Sequence, residues 1–82
     1  MITKKQLFLK QFGEHIRKIR LKKKLAQFDV ACAMNKDRQN LQRLESGNIN
    51  PTVFNLHELA EGLNTDIHTL TNFEYVPPKP KK

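Results

Sequence analysis

Cysteine occurs once in this chain, at position 32, and tryptophan does not occur. A lone thiol excludes an internal disulfide, agrees with a reducing compartment and cannot by itself build a structural zinc site. Cys32 stands between two alanines with no basic neighbour in sequence, which suits a small packed or half-exposed side chain better than a nucleophile. The three glycines are scattered, so there is no Gly-rich phosphate loop. His15, His57 and His68 lack metal-ligand spacing and read as surface or semi-buried polar residues. No two carboxylates are placed as an acid–base pair, so neither catalysis nor a cofactor is expected. No apolar run approaches a membrane span, and Lys4, Lys5 and Lys10 interrupt the start where a signal region would lie. The expectation is a cytoplasmic, non-enzymatic protein with no membrane partner.

Acidic residues are nearly missing from the first third. Residues 1–25 carry nine Lys/Arg against the single Glu14, residues 26–50 carry three of each sign, and residues 51–82 carry three basic against four acidic. The net charge of +7 therefore belongs to the start of the chain. Nucleic acid is the commonest partner for such a field, followed by an anionic membrane surface or an acidic protein. A solvated, lysine-rich helix face is the bland alternative.

Eighty-two residues, 38% of them hydrophobic, suffice for one domain with a modest core. Phe8, Phe12, Ile16 and Ile19 recur at helical spacing and predict a first helix from about Lys5 to Lys23, after which Leu25 packs back onto the core. Gln27 to Met34 forms a second helix with Val30, Ala31 and Met34 on one face. Arg38 to Glu45 forms a third with Leu41 and Leu44 as its stripe. Only Asn35-Lys36-Asp37 separates them, so the two must cross steeply, with the small Ala31 where the axes come closest. Asp37 is a good N-cap, Asn35 tolerates a left-handed turn, and Gly47 can close the third helix.

Thr52 caps a fourth helix whose buried stripe is Val53, Leu56, Leu59, Ala60 and Leu63. Gly62 weakens it by roughly 1 kcal/mol relative to Ala unless close packing needs the gap. Asn64 ends that helix, and Asp66 caps a short fifth carrying Ile67 and Leu70. The expected domain spans residues 1–73, with 74–82 a Pro/Lys-rich tail. Phe73, Tyr75 and Val76, together with Ile67 and Leu70, either form a self-association surface or simply cover the bottom of the domain.

Held this way, the third helix turns Arg38, Gln39, Gln42 and Arg43 outward. These residue types hydrogen-bond base edges and phosphates. The register F-G-E-x-I-R-x-I-R over residues 12–20, then Gln27, Ala31, E-S-G at 45–47, N-P-T at 50–52 and L-x-x-L-A-x-x-L at 56–63 resembles the Cro/C1-type, or XRE, helix-turn-helix family over about residues 12–71. The resemblance implies an all-α, compact bundle of five short helices of the lambda-repressor-like type. It implies a sequence-specific regulator of transcription, a repressor, whose third helix enters the major groove of double-stranded DNA. Base reading falls to Arg38, Gln39, Gln42 and Arg43. Phosphate binding falls to Gln27, aided by the positive end of its helix, and to Asn40, Ser46, Asn48 and Lys36. Arg20 and Glu45 occupy positions that in several relatives form a structural ion pair.

Further expectations are a homodimer on a near-palindromic operator and a bacterial or phage cytoplasm, associated with the nucleoid. The alternative is an antitoxin or adaptor-type module that docks a protein partner such as a toxin. Several positions depart from the family pattern. Lys36 replaces an apolar turn residue, Ala26 removes an N-cap worth about 1 kcal/mol, and Lys24 replaces a common glycine, which leaves the end of the first helix open.

Overall fold

Four of the five helices start on a side chain that satisfies an otherwise unpaired first amide. The computed structural model describes residues 2–78; Met1 and the tail residues 79–82 lie outside the described residues. Helix α1 (Lys4–Lys22) opens on a capping box in which Thr3 Oγ1 accepts from the Gln6 amide at 3.1 Å and Gln6 Oε1 accepts from the Thr3 amide at 2.8 Å. Helix α2 (Gln27–Ala33) follows Ala26, which has no oxygen to offer. The Asp29 carboxylate instead accepts from the Ala26 amide at 3.1 Å, supplying half a box. Asp37 caps α3 (Arg38–Glu45) through the Asn40 amide at 2.9 Å. Thr52 caps α4 (Val53–Gly62) through the Asn55 amide at 3.1 Å.

Asp66 caps α5 (Ile67–Thr71) through the Thr69 amide at 2.8 Å. Hydrogen bonds from Thr69, its backbone amide first and its side chain second, lower the pKa of the Asp66 carboxyl from its ordinary value. The ends are equally local. Asn35 and Asn64 take φ of 56° and Gly47 takes 85°, which turns the chain out of α2, α4 and α3 in turn.

These five helices are the all-α, lambda-repressor-like bundle read from the sequence, and among the described residues there is no strand. Helix α1 lies across α3 and α5, α2 packs on α3 and α4, and α4 packs on α5. Phe12, Ile16, Val30, Ala31, Met34, Leu41, Leu44, Leu59, Ala60, Leu63 and Leu70 form the core, with Ile19, Leu25, Leu56, Ile67 and Phe73 half-buried against it. Two glycines let helices meet at backbone distance. A β-carbon on Gly13 would stand 2.4 Å from the Glu45 carbonyl oxygen, so α1 touches the last turn of α3 directly. One on Gly62 would stand 3.1 Å from Met34 Cγ and from the Val30 carbonyl oxygen. The gap in the α4 stripe is therefore used by α2.

Two expected placements change, and one open alternative is decided. Val53 is 75% exposed rather than buried. Leu70 is fully buried and so cannot serve a self-association surface. Phe73, Tyr75 and Val76 continue as an extended segment along α1. Phe73 stacks against Phe8, Phe12 and His15 at ring separations of 5.5, 6.0 and 5.5 Å, and Tyr75 against Phe8 at 5.3 Å. The Gln11 side chain donates to the Val76 carbonyl at 2.7 Å and accepts from the Val76 amide at 2.8 Å. These residues cover the domain, and the rest of Val76 stays exposed. Among the described residues no helix is long and apolar enough to cross a membrane.

Candidate nucleic-acid interface

Helix α3 has two faces with opposite fates. Leu41, Leu44 and Glu45 are buried, and the caps at Asp37 and Gly47 hold the helix at both ends. Arg38, Gln39, Gln42 and Arg43 are all exposed on the other side, and Asn40 is half-buried between. The buried face sets the rotation of the helix, so these four polar side chains are presented together and in order.

Glu45 is the buried end of a polar cluster that ties α1, α2 and α3. Arg20 Nε donates to Glu45 Oε2 at 2.6 Å and Nη2 to Oε1 at 3.0 Å, a bidentate pair with both side chains buried. The third guanidinium nitrogen, Nη1, donates to the Leu25 carbonyl at 2.8 Å and so pins the α1–α2 turn. Gln27 Nε2 donates to Glu45 Oε1 at 3.1 Å, and Gln27 Oε1 accepts from Arg38 Nε at 3.5 Å. A chain of hydrogen bonds thus runs from the core to the first residue of the exposed face of α3. The Gln27 amide is oriented by it, nitrogen inward and oxygen outward.

Beyond the last turn of α3 a second cluster forms. Ser46 Oγ donates to the Gln42 and Arg43 carbonyls at 2.9 and 3.2 Å and accepts from Asn48 Nδ2 at 3.2 Å. The Asn48 amide donates to the Arg43 carbonyl at 2.8 Å. Ser46 and Asn48 are exposed, and Lys10 and Gln6 of α1 line a shallow cleft beside them. Lys36 is exposed in the α2–α3 turn, where its amide donates to the Ala31 carbonyl at 2.9 Å.

The positions read from the sequence therefore fall into three groups. Gln27, Arg38, Arg20 and Glu45 are joined, Arg43, Ser46 and Asn48 meet at the end of α3, and Gln39, Gln42 and Lys36 stand free on the surface, with Asn40 half-buried beside them. Sequence reasoning missed Gly13, whose bare α-carbon admits the α3 backbone, and the link from Glu45 to Gln27. No local pattern announces either.

Known proteins share this fold. The helix-turn-helix profile HTH_3 matches residues 16–70. The chain belongs to this helix-turn-helix family. Among solved structures, the restriction-modification controller protein C.AhdI of Aeromonas hydrophila is 31% identical, with a TM-score of 0.72 over 76% of this chain and 94% of that one. The controller protein C.Esp1396I, solved as a tetramer in complex with its natural 35 base-pair operator, is 30% identical, with a TM-score of 0.71 over 77% and 83% of the two chains. An HTH_3 family transcriptional regulator of Vibrio cholerae, 21% identical, matches in fold with a TM-score of 0.74 over 80% of this chain and 37% of its own. The comparison with curated proteins finds no match.

Proposed function

We propose that this helix-turn-helix protein is a sequence-specific, double-stranded DNA-binding regulator of transcription, acting as a repressor. The observation that carries the reading is the two-sidedness of α3, locked by Leu41, Leu44 and Glu45 on one side and exposed at Arg38, Gln39, Gln42 and Arg43 on the other. In the major groove, Arg reads guanine and Gln reads adenine through paired hydrogen bonds, each worth about 1–3 kcal/mol of discrimination. Lys36, Asn40, Ser46 and Asn48, with the backbone amide of Gln27 at the start of α2 since its side-chain nitrogen is committed to Glu45, hold phosphates and set the register without reading sequence. The likeness to C.Esp1396I, a protein solved on its operator, supports the same use here.

A homodimer places two copies of α3 in successive major grooves, on half-sites about one helical turn apart. Selection of bound sequences from a random duplex pool tests the whole reading and should return a near-palindrome. On the selected duplex, Gln39→Ala should relax preference at one base position while leaving non-specific binding nearly intact. Equal loss on every sequence would refute a reading role for Gln39, and an unselected pool would refute sequence-specific binding altogether.

A further inference from the structure

Among the described residues, three other than glycine hold a positive φ, namely Lys24 at 59°, Asn35 at 56° and Asn64 at 56°. Asparagine visits this region readily because its short polar side chain bonds locally, whereas a lysine β-carbon crowds the following carbonyl without compensation. The fold leaves position 24 no alternative. The Lys24 amide donates to the Leu21 carbonyl at 3.0 Å, and the Leu25 amide to the Arg20 carbonyl at 3.1 Å. Leu25 is then held twice, by packing against the core and by Arg20 Nη1 on its carbonyl. Glycine would make this turn unstrained, yet a long cation occupies it.

The surroundings of that cation point to its use. The turn is stapled to the same guanidinium that grips Glu45, and through Glu45 it reaches Gln27 and Arg38. The adjacent Lys23 ammonium is drawn aside to the Asn64 carbonyl at 3.3 Å. Lys24 is exposed, and among the described residues no acceptor binds its ammonium. Strained backbone persists only where its surroundings over-determine it, and such positions cluster at functional sites.

We propose that Lys24 is a phosphate-contacting residue of the DNA interface, carried on a left-handed turn that its own side chain disfavours. The proposal rests on the DNA-binding reading above. It makes two effects of one substitution run in opposite directions. In the full chain, Lys24→Gly should raise the thermal midpoint by a few degrees and weaken DNA binding severalfold. With a labelled, mixed-sequence duplex of about 30 base pairs titrated across a KCl series, the slope of log affinity on log salt should become shallower by about 0.9 for each chain bound. Lys24→Asn, which keeps the backbone conformation without the charge, should show the same change of slope, and Lys24→Arg should keep the original slope.

Slopes for the Gly and Asn variants within half of that change from the unmodified chain would overturn the phosphate contact. A lowered midpoint for Lys24→Gly would overturn the strain. An unmodified chain whose binding to the duplex is absent or insensitive to salt would instead overturn the DNA-binding reading itself.

Discussion

At the scale of the residue, the side chains that matter most are those with two obligations. Glu45 neutralises Arg20 and orients Gln27 with the same carboxylate oxygen. Burying two charges carries a desolvation cost that the ion pair only offsets, so the pair adds little net stability, but removing one partner strands the other. Arg20→Ala and Glu45→Ala should each cost about 3–5 kcal/mol. The double variant should cost clearly less than their sum, as measured by urea unfolding of all four proteins. Strictly additive losses would mean that the two groups do not depend on each other. The partners lie 25 residues apart, and it was the resemblance to the family, rather than any local signal, that made them legible. Lys24 shows the reverse case. The departure from glycine was visible in the chain, but the backbone conformation it must adopt was not.

At the scale of the element, helix bounds were legible because capping is local. Thr52, Asp37 and Asp66 each serve an amide three residues ahead. What each face meets is decided elsewhere in the chain. Val53 fits the apolar stripe of α4 but faces solvent, and Leu70 fits a surface but lies in the core. The extended segment on α1 was least legible of all, since Gln11 and Val76 are 65 residues apart and a glutamine carries no periodic signal. The Gln11 amide meets both backbone groups of Val76 as a neighbouring strand would, while the rings of Phe73 and Tyr75 fill the space beside Phe8. Gln11→Ala should free the segment from Tyr75 onward while leaving α1 to α5 intact. Amide hydrogen exchange checks this: Val76 should lose protection and Leu63 should keep it. Retained protection at Val76 would assign the docking to the aromatic rings alone.

At the scale of the whole molecule, charge and shape are segregated. The basic excess sits in residues 1–25, and the last third, with four acids against three lysines, carries little net charge. In the proposed homodimer, two copies that meet away from α1 keep their positive surfaces apart. For a homodimer, half-site spacing becomes a ruler. Inserting about five base pairs, half a helical turn, between the selected half-sites turns the second one to the opposite side of the duplex. Cooperative binding in a gel-shift titration should then disappear, and inserting a full turn should recover part of it. Unchanged cooperativity with the half-turn insertion would argue for independent monomers.

The division of α3 into a buried and an exposed face also bears on how such a protein changes over generations. Substitution at Arg20 or Glu45 alone passes through a buried, unmatched charge, so drift at those positions is slow and must come in pairs. Substitution at Gln39, Gln42 or Arg43 passes through water and leaves the fold intact. On the proposed reading, a duplicated copy of this gene can therefore acquire a new operator in single steps, with each intermediate still a folded protein. The scaffold is inherited as a block, while its vocabulary is open to revision one residue at a time.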